Sequence, residues 1–293
     1  MIKGIVLAGG LGTRLYPSTK VISKHLLPLY DKPMIYYPIS VLMLANIRDI
    51  CIISDAKNIP SYKELLGDGS DFGVNFNYQV QEEPDGIASA FILAENFIGS
   101  SNVLLILGDN LFFGSGFSLM LQEVSKNVNG AHIFAYEVND PERFGVLYID
   151  EKNKIKDIIE KPKHSKSNLA VTGMYLYDNS VIEISKNISI SKRGEREISD
   201  VNKAYLKKNK LQHTVLGRGF TWLDAGTPDS FLSASFFVQT LIKKQGLQIA
   251  CLEEIALRQG WLNINKIKKS KILKLDNDYV DYIKKIISLK KFY

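Results

Sequence analysis

Between Lys3 and Leu15 the chain reads Lys-Gly-Ile-Val-Leu-Ala-Gly-Gly-Leu-Gly-Thr-Arg-Leu, and no other stretch restricts the fold as much. Ile5, Val6 and Leu7 form a short apolar run, the mark of a strand buried on both faces in a parallel sheet. The run stops at Gly9, Gly10 and Gly12, where residues without a Cβ let backbone N–H groups close on an anion. Comparable runs recur at Ile50–Ser54, Phe76–Val80, Val103–Leu107 and Ala131–Val138. Amphipathic segments lie between them, at Ile35–Ala45, Ser61–Leu66, Ala88–Phe97 and Leu119–Asn127. Strands alternating with helices predict an α/β fold with a doubly wound, mostly parallel, Rossmann-like sheet, which binds ligands at the C-terminal ends of its strands.

Arg14 and Lys24 follow the glycines closely, so a polyphosphate is the natural anion. Two familiar glycine loops do not fit. A P-loop needs Gly-Lys-Ser/Thr, which is absent. A dinucleotide fingerprint needs a third Gly or Ala where Leu15 stands, and Asp31 lies in a turn sequence rather than at a strand end.

Past Gly145 the pattern loosens into strands at Val146–Ile149, Ile155–Glu160, Val171–Tyr177 and Gln212–Leu216, with a helix at Ile198–Lys207. Thr227-Pro228 opens a long helix, with Thr as cap and Pro at the first position. Residues 1–250 read as one catalytic domain with a small β-region, and 251–293 as a helical addition. The net charge of +6 gathers near the end, in lysines that include Lys266, Lys268, Lys284, Lys285, Lys290 and Lys291. They alternate with Ile and Leu as on a solvated helix face, so a nucleic-acid partner is not expected. No apolar run is long enough for a membrane span. Cys51 and Cys251 form no disulfide framework, and the expectation is a cytoplasmic protein with reduced thiols.

Val103–Leu107 leads through Gly108 to Asp109 and Asn110, and Phe220-Thr-Trp-Leu leads to Asp224 in the same manner. A carboxylate at the end of a buried strand is costly without a partner, and two of them beside a phosphate loop would make a hard-oxygen site for Mg²⁺. Gln81 offers a donor and an acceptor suited to a base edge, and Gly86 permits close backbone approach at a helix start. Arg143-Phe-Gly145 and Glu160-Lys161-Pro162 add groups for sugar hydroxyls and a phosphate.

Together these segments, with Tyr30-Asp-Lys-Pro-Met-Ile-Tyr-Tyr-Pro38 and Leu66-Gly-Asp-Gly69, make a chain that resembles the sugar nucleotidyltransferases from Lys3 to at least Gln259. The resemblance is strongest to the branch that joins dTTP to glucose 1-phosphate. It implies that Gly9, Gly12, Thr13, Arg14 and Lys24 hold the dTTP phosphates, with His25 as a further nucleotide contact. It implies that Gln81 and Gly86 meet thymine, and that Asp109 and Asp224 hold Mg²⁺. Asn110, Gly145, Glu160 and Val171 would contact glucose 1-phosphate, with Lys161 on its phosphate. His25 stands where this branch usually has Gln, and Phe144 where it usually has Tyr. The resemblance further implies a homotetramer and feedback by a dTDP-sugar. The rival readings are a uridylyltransferase and a nucleotide-sugar sensor without catalysis.

Overall fold

The computed structural model describes residues 1–289; Lys290 and Lys291 lie outside the described residues. Nine strands form the main sheet. Asn75–Val80, Asp49–Ser54, Ile2–Leu7 and Asn102–Leu107 lie side by side, all parallel. Leu169–Tyr177 continues the sheet antiparallel to Asn102–Leu107. Beyond it come Ala131–Glu137 and, parallel to that, Leu211–Leu216. Ala170 also pairs with Val146, so the Gly145–Ile149 and Ile155–Glu160 hairpin takes over where Asn102–Leu107 ends.

Strand alternation divides the core cleanly. Leu104 and Ile106 join Val6 on one face, whereas Val103 and Leu105 join Ile5 on the other. The first face is covered by the helix Tyr36–Leu44 and by the C-terminal helices, which contribute Leu252, Ala256, Ile283 and Ile286 to the same core. Helices Ser89–Leu93, Glu95–Ile98, Val181–Lys186 and Ile198–Lys207 cover the second. Both faces are dry, which is why the central strands read as unbroken apolar runs.

Three features differ from the sequence expectation. The helix expected over Ala88–Phe97 is two short helices broken at Ala94. The Val181–Lys186 helix was unforeseen. Asn110–Gly114 is a strand, paired antiparallel with Phe220–Asp224 in a separate two-stranded sheet. The helix Pro228–Gln245 packs Ala234 and Val238 onto that sheet, and Thr227 and Ser230 form a capping box at its start. Among the described residues no helix is long and apolar enough to cross a membrane.

The strand order places the site. The chain leaves Ile2–Leu7 for the two strands on one side, then crosses to Asn102–Leu107 on the other. A crevice opens at such a reversal, outside the carboxyl ends of the two central strands. The glycine loop leaves one of those ends and Asp109 the other.

Candidate active site

The glycine loop bends because its geometry demands it. Gly10 has φ 100° and Gly12 φ 58°, both in the region that favours glycine. The Gly12 carbonyl accepts from the Leu15 N–H at 2.9 Å and from the Thr19 hydroxyl at 2.8 Å, which leads into the turn Thr13–Leu15. Gly9 is constrained differently: a Cβ there would stand 2.6 Å from Gln81 Oε1. The loop and Gln81 therefore touch although 72 residues separate them in the sequence.

Asp109 and Asp224 meet at the mouth of the crevice. Asp224 is in register with Asn110, and the Ala225 N–H donates to the Asp109 carbonyl at 3.0 Å. One Asp109 oxygen accepts from the Lys24 ammonium, the other from the Asn110 amide at 3.0 Å. The Asn110 carbonyl oxygen accepts from Trp222 Nε1 at 2.6 Å and from the Gly173 N–H at 3.1 Å. Burial opposes the Asp109 charge, but the Lys24 charge and hydrogen bond outweigh it and hold this carboxyl well below the usual range. Asp224 goes the other way. Burial and the Asp109 charge push it up, against the pull of Lys24, Arg14 and Arg143. Two crowded carboxylates are a hard-oxygen donor pair of the kind a small divalent cation takes, with Lys24 on Asp109 and Arg143 3.5 Å from Asp224 balancing their charge. Among the described residues no third His, Cys, Asp or Glu joins them, so Mg²⁺ here would complete its shell with phosphate oxygens and water, as that ion commonly does.

The crevice continues into a cavity of about 630 Å³. Thr13, Arg14, Asp109 and Asp224 line it together with Asn110, Gly145, Glu160, Lys161 and Val171. Arg14 lies against Gly226, where a Cβ would stand 2.8 Å from its guanidinium. Among the described residues neither Arg14 nor Lys161 forms an ion pair. Cations facing a cavity are what an anionic ligand requires, Lys161 without an ion pair among the described residues and Arg14 only within the field of Asp224. Lys161 sits at φ 43°, with its N–H on the Phe144 carbonyl at 3.0 Å, so the backbone itself turns here.

Glu160 accepts from the Ser199 hydroxyl, and its other oxygen lies 3.6 Å from Arg193. Gly145 leaves room for this carboxylate, since a Cβ would sit 3.2 Å from Glu160 Oε2. Arg143, named in the sequence with Gly145, stands 3.5 Å from Asp224, and two cavity residues escaped sequence reasoning: Arg193, held among Glu160, Glu195 and Glu197, and Asn202. The Asn202 carbonyl oxygen accepts from the Tyr177 hydroxyl at 2.5 Å, but its buried amide nitrogen has no partner among the described residues. Phe144 packs its ring 5.0 Å from Trp222, a contact that needs no hydroxyl.

Gln81 and Gly86 lie off the cavity, on the glycine-loop side. Gln81 is buried, and Gly86 has φ 109° with the Arg196 backbone against it. His25 lies beneath the loop and is wholly buried, with Nδ1 3.1 Å from Ser23 Oγ and 3.3 Å from the Tyr62 hydroxyl. Burial, then the Lys24 charge, lowers its pKa to about 3. A histidine that is neutral when folded and protonates near 6.5 when unfolded stabilises the fold above pH 6.5 and loses that contribution as pH falls. Between pH 7 and 5 the loss is about 2 kcal/mol. Urea midpoints at pH 7 and pH 5 are expected to converge in His25→Gln relative to the parent, and equal shifts in both proteins would refute this.

A doubly wound sheet with a glycine loop and two carboxylates at its switch point is the architecture of a nucleotide-binding α/β enzyme. The chain belongs to the nucleotidyl transferase family, whose pattern matches residues 3–240. It is 52% identical over 286 residues to the glucose-1-phosphate thymidylyltransferase of Neisseria meningitidis serogroup A, a match spanning 98% of this chain and 99% of that one. A Bacillus anthracis structure, assigned as a glucose-1-phosphate thymidylyltransferase and complexed with sucrose, superposes with a TM-score of 0.75 at 44% identity, over 81% of this chain and 95% of that chain. A UDP-glucose pyrophosphorylase complexed with UDP-glucose superposes with a TM-score of 0.71 at 27% identity, over 83% and 100%.

Proposed function

We propose that this enzyme transfers the thymidylyl group of dTTP to glucose 1-phosphate, releasing pyrophosphate and forming dTDP-glucose. The observation that carries the reading is one cavity lined both by the Asp109–Asp224 pair and by Glu160 and Lys161, with Arg14 and Lys161 as cations in its wall. The loop amides at Gly9, Gly12 and Thr13, with Arg14 and Lys24, hold the triphosphate. Gln81 and the Gly86 backbone meet the base. Asn110, Gly145, Glu160 and Val171 hold the sugar, and Lys161 its phosphate. Asp109 and Asp224 hold Mg²⁺, which when bound neutralises phosphate charge.

The sugar phosphate oxygen is already an anion, so its attack on the α-phosphorus needs no general base. Among the described residues no histidine lines the cavity, in keeping with that chemistry. Catalysis then rests on in-line positioning and on stabilising the charge of the departing pyrophosphate. The product feeds dTDP-deoxysugar synthesis, such as that of dTDP-L-rhamnose, in the cytoplasm. We also place this chain in a homotetramer subject to feedback by a dTDP-sugar; a monomer in light scattering would refute the first. The structural likeness to a UDP-glucose pyrophosphorylase favours a uridylyltransferase as the second reading.

One assay separates the two. Pyrophosphate release from glucose 1-phosphate with dTTP, UTP, CTP, ATP and GTP, with and without Mg²⁺, is expected to show Mg²⁺-dependent turnover led by dTTP. Preference for UTP would establish the second reading, and binding without turnover would overturn both.

A further inference from the structure

The turn between the strand Asn75–Val80 and the helix Ser89–Leu93 carries a carboxylate, Asp85, that the proposed chemistry leaves unused. Gln81 Nε2 donates to one of its oxygens at 3.3 Å, and the other lies 3.3 Å from Arg196 Nη1. The main chain adds two ties. The Arg196 N–H donates to the Asp85 carbonyl at 2.7 Å, and the Ala88 N–H donates to the Arg196 carbonyl at 3.3 Å.

This clamp decides which way the Gln81 amide points. An ionised carboxylate only accepts, so the NH₂ of Gln81 must face Asp85. Its carbonyl oxygen is then left on the glycine-loop side, where Gly9 has no Cβ to obstruct it. Turning the amide about would set two oxygens against each other and forfeit a hydrogen bond.

We propose that Asp85 is a positioning residue that sets the base preference of the enzyme by fixing the orientation of the Gln81 amide. The proposal rests on the reading in which Gln81 meets the pyrimidine. Thymine and uracil present an N3–H flanked by two carbonyls. The Gln81 carbonyl accepts from N3–H, and the second Nε2 hydrogen reaches a ring carbonyl. Cytosine presents a bare N3 and an exocyclic amine, which opposes acceptor to acceptor and donor to donor. Asp85 thus selects imide bases through Gln81, and leaves thymine against uracil to contacts with the methyl group.

The test is steady-state kinetics with dTTP, UTP and CTP for the parent, Asp85→Asn and Gln81→Ala. Asn keeps the shape of the turn but can donate to a reversed Gln81. In Asp85→Asn the dTTP-to-CTP ratio of kcat/KM is expected to fall about 10- to 100-fold, the range spanned by one unmade buried hydrogen bond. The change should lie in KM, with the dTTP-to-UTP ratio unmoved, a pattern that a general loosening of the fold would not give. An unchanged dTTP-to-CTP ratio in folded Asp85→Asn overturns the proposal. If that variant does not fold, Arg196→Met leaves Asp85 present but less tightly held, and a smaller fall in the same ratio is expected; no fall there overturns it equally. A parent enzyme that discriminates while Gln81→Ala discriminates as well would remove Gln81 from the base, and the proposal with it. A parent without dTTP turnover would instead refute the thymidylyltransferase reading.

Discussion

Asp109→Asn is expected to reduce kcat with dTTP and glucose 1-phosphate by two to three orders of magnitude, the typical loss on removing one preorganised electrostatic group. The substitution changes charge and almost nothing else. It deprives Lys24 of its partner in a setting where Asp109 is only 8% exposed, and it leaves Asp224 as a single carboxylate at the mouth of the cavity. Lys24, half-buried, would keep only Asp224 to offset its charge, so some stability is lost with the ion pair. Thermal melts must therefore accompany the kinetics, so that rate is compared between folded proteins. The Mg²⁺ concentration for half-maximal rate should rise as well. A near-normal rate with unchanged Mg²⁺ dependence would remove Asp109 from the chemistry.

Gly86→Ala should be the most damaging single methyl group on the nucleotide side. At φ 109° an L-residue is strained before any neighbour is considered. The added Cβ would also stand 2.4 Å from the Arg196 carbonyl oxygen and 2.6 Å from its nitrogen, and backbone cannot rotate away as a side chain can. Strain and overpacking together cost about 3 kcal/mol. Since Arg196 holds Asp85, the KM for dTTP should rise while that for glucose 1-phosphate moves less. Gly260→Ala is the control, because Gly260 also has positive φ but no atom lies within 4 Å of its Cβ position. Equal stability losses in the two variants would show that contact with Arg196 is immaterial.

The central strands were legible because burial on both faces leaves short apolar runs rich in Ile, Val and Leu, with glycine or polar residues at their ends. Asp109 and Asp224 stood out for the converse reason, as charges where apolar runs end. Their encounter was not legible. It depends on Asn110–Gly114 pairing with Phe220–Asp224 across more than a hundred residues, and the Leu111-Phe-Phe run merged with the segment before it. Arg193 passed unnoticed, and the pairing of Arg143 with Asp224 with it, because a lone cation in a polar loop carries no periodic signal. Only folding brings them to carboxylates. The depth of His25 was equally hidden, since Tyr62 and Ser23 enclose it from a helix and a loop that local sequence does not connect.

The C-terminal helices share one core with the first strand and with the helix Tyr36–Leu44. During synthesis the glycine loop and both aspartates precede residues 252–286, and until those emerge one face of the sheet has the helix Tyr36–Leu44 as cover but lacks the C-terminal helices. A nascent chain at that stage exposes apolar surface, and it is then that aggregation or chaperone capture competes with folding. A stop codon placed just before residue 252 should therefore yield protein found in the pellet after lysis rather than a shortened enzyme.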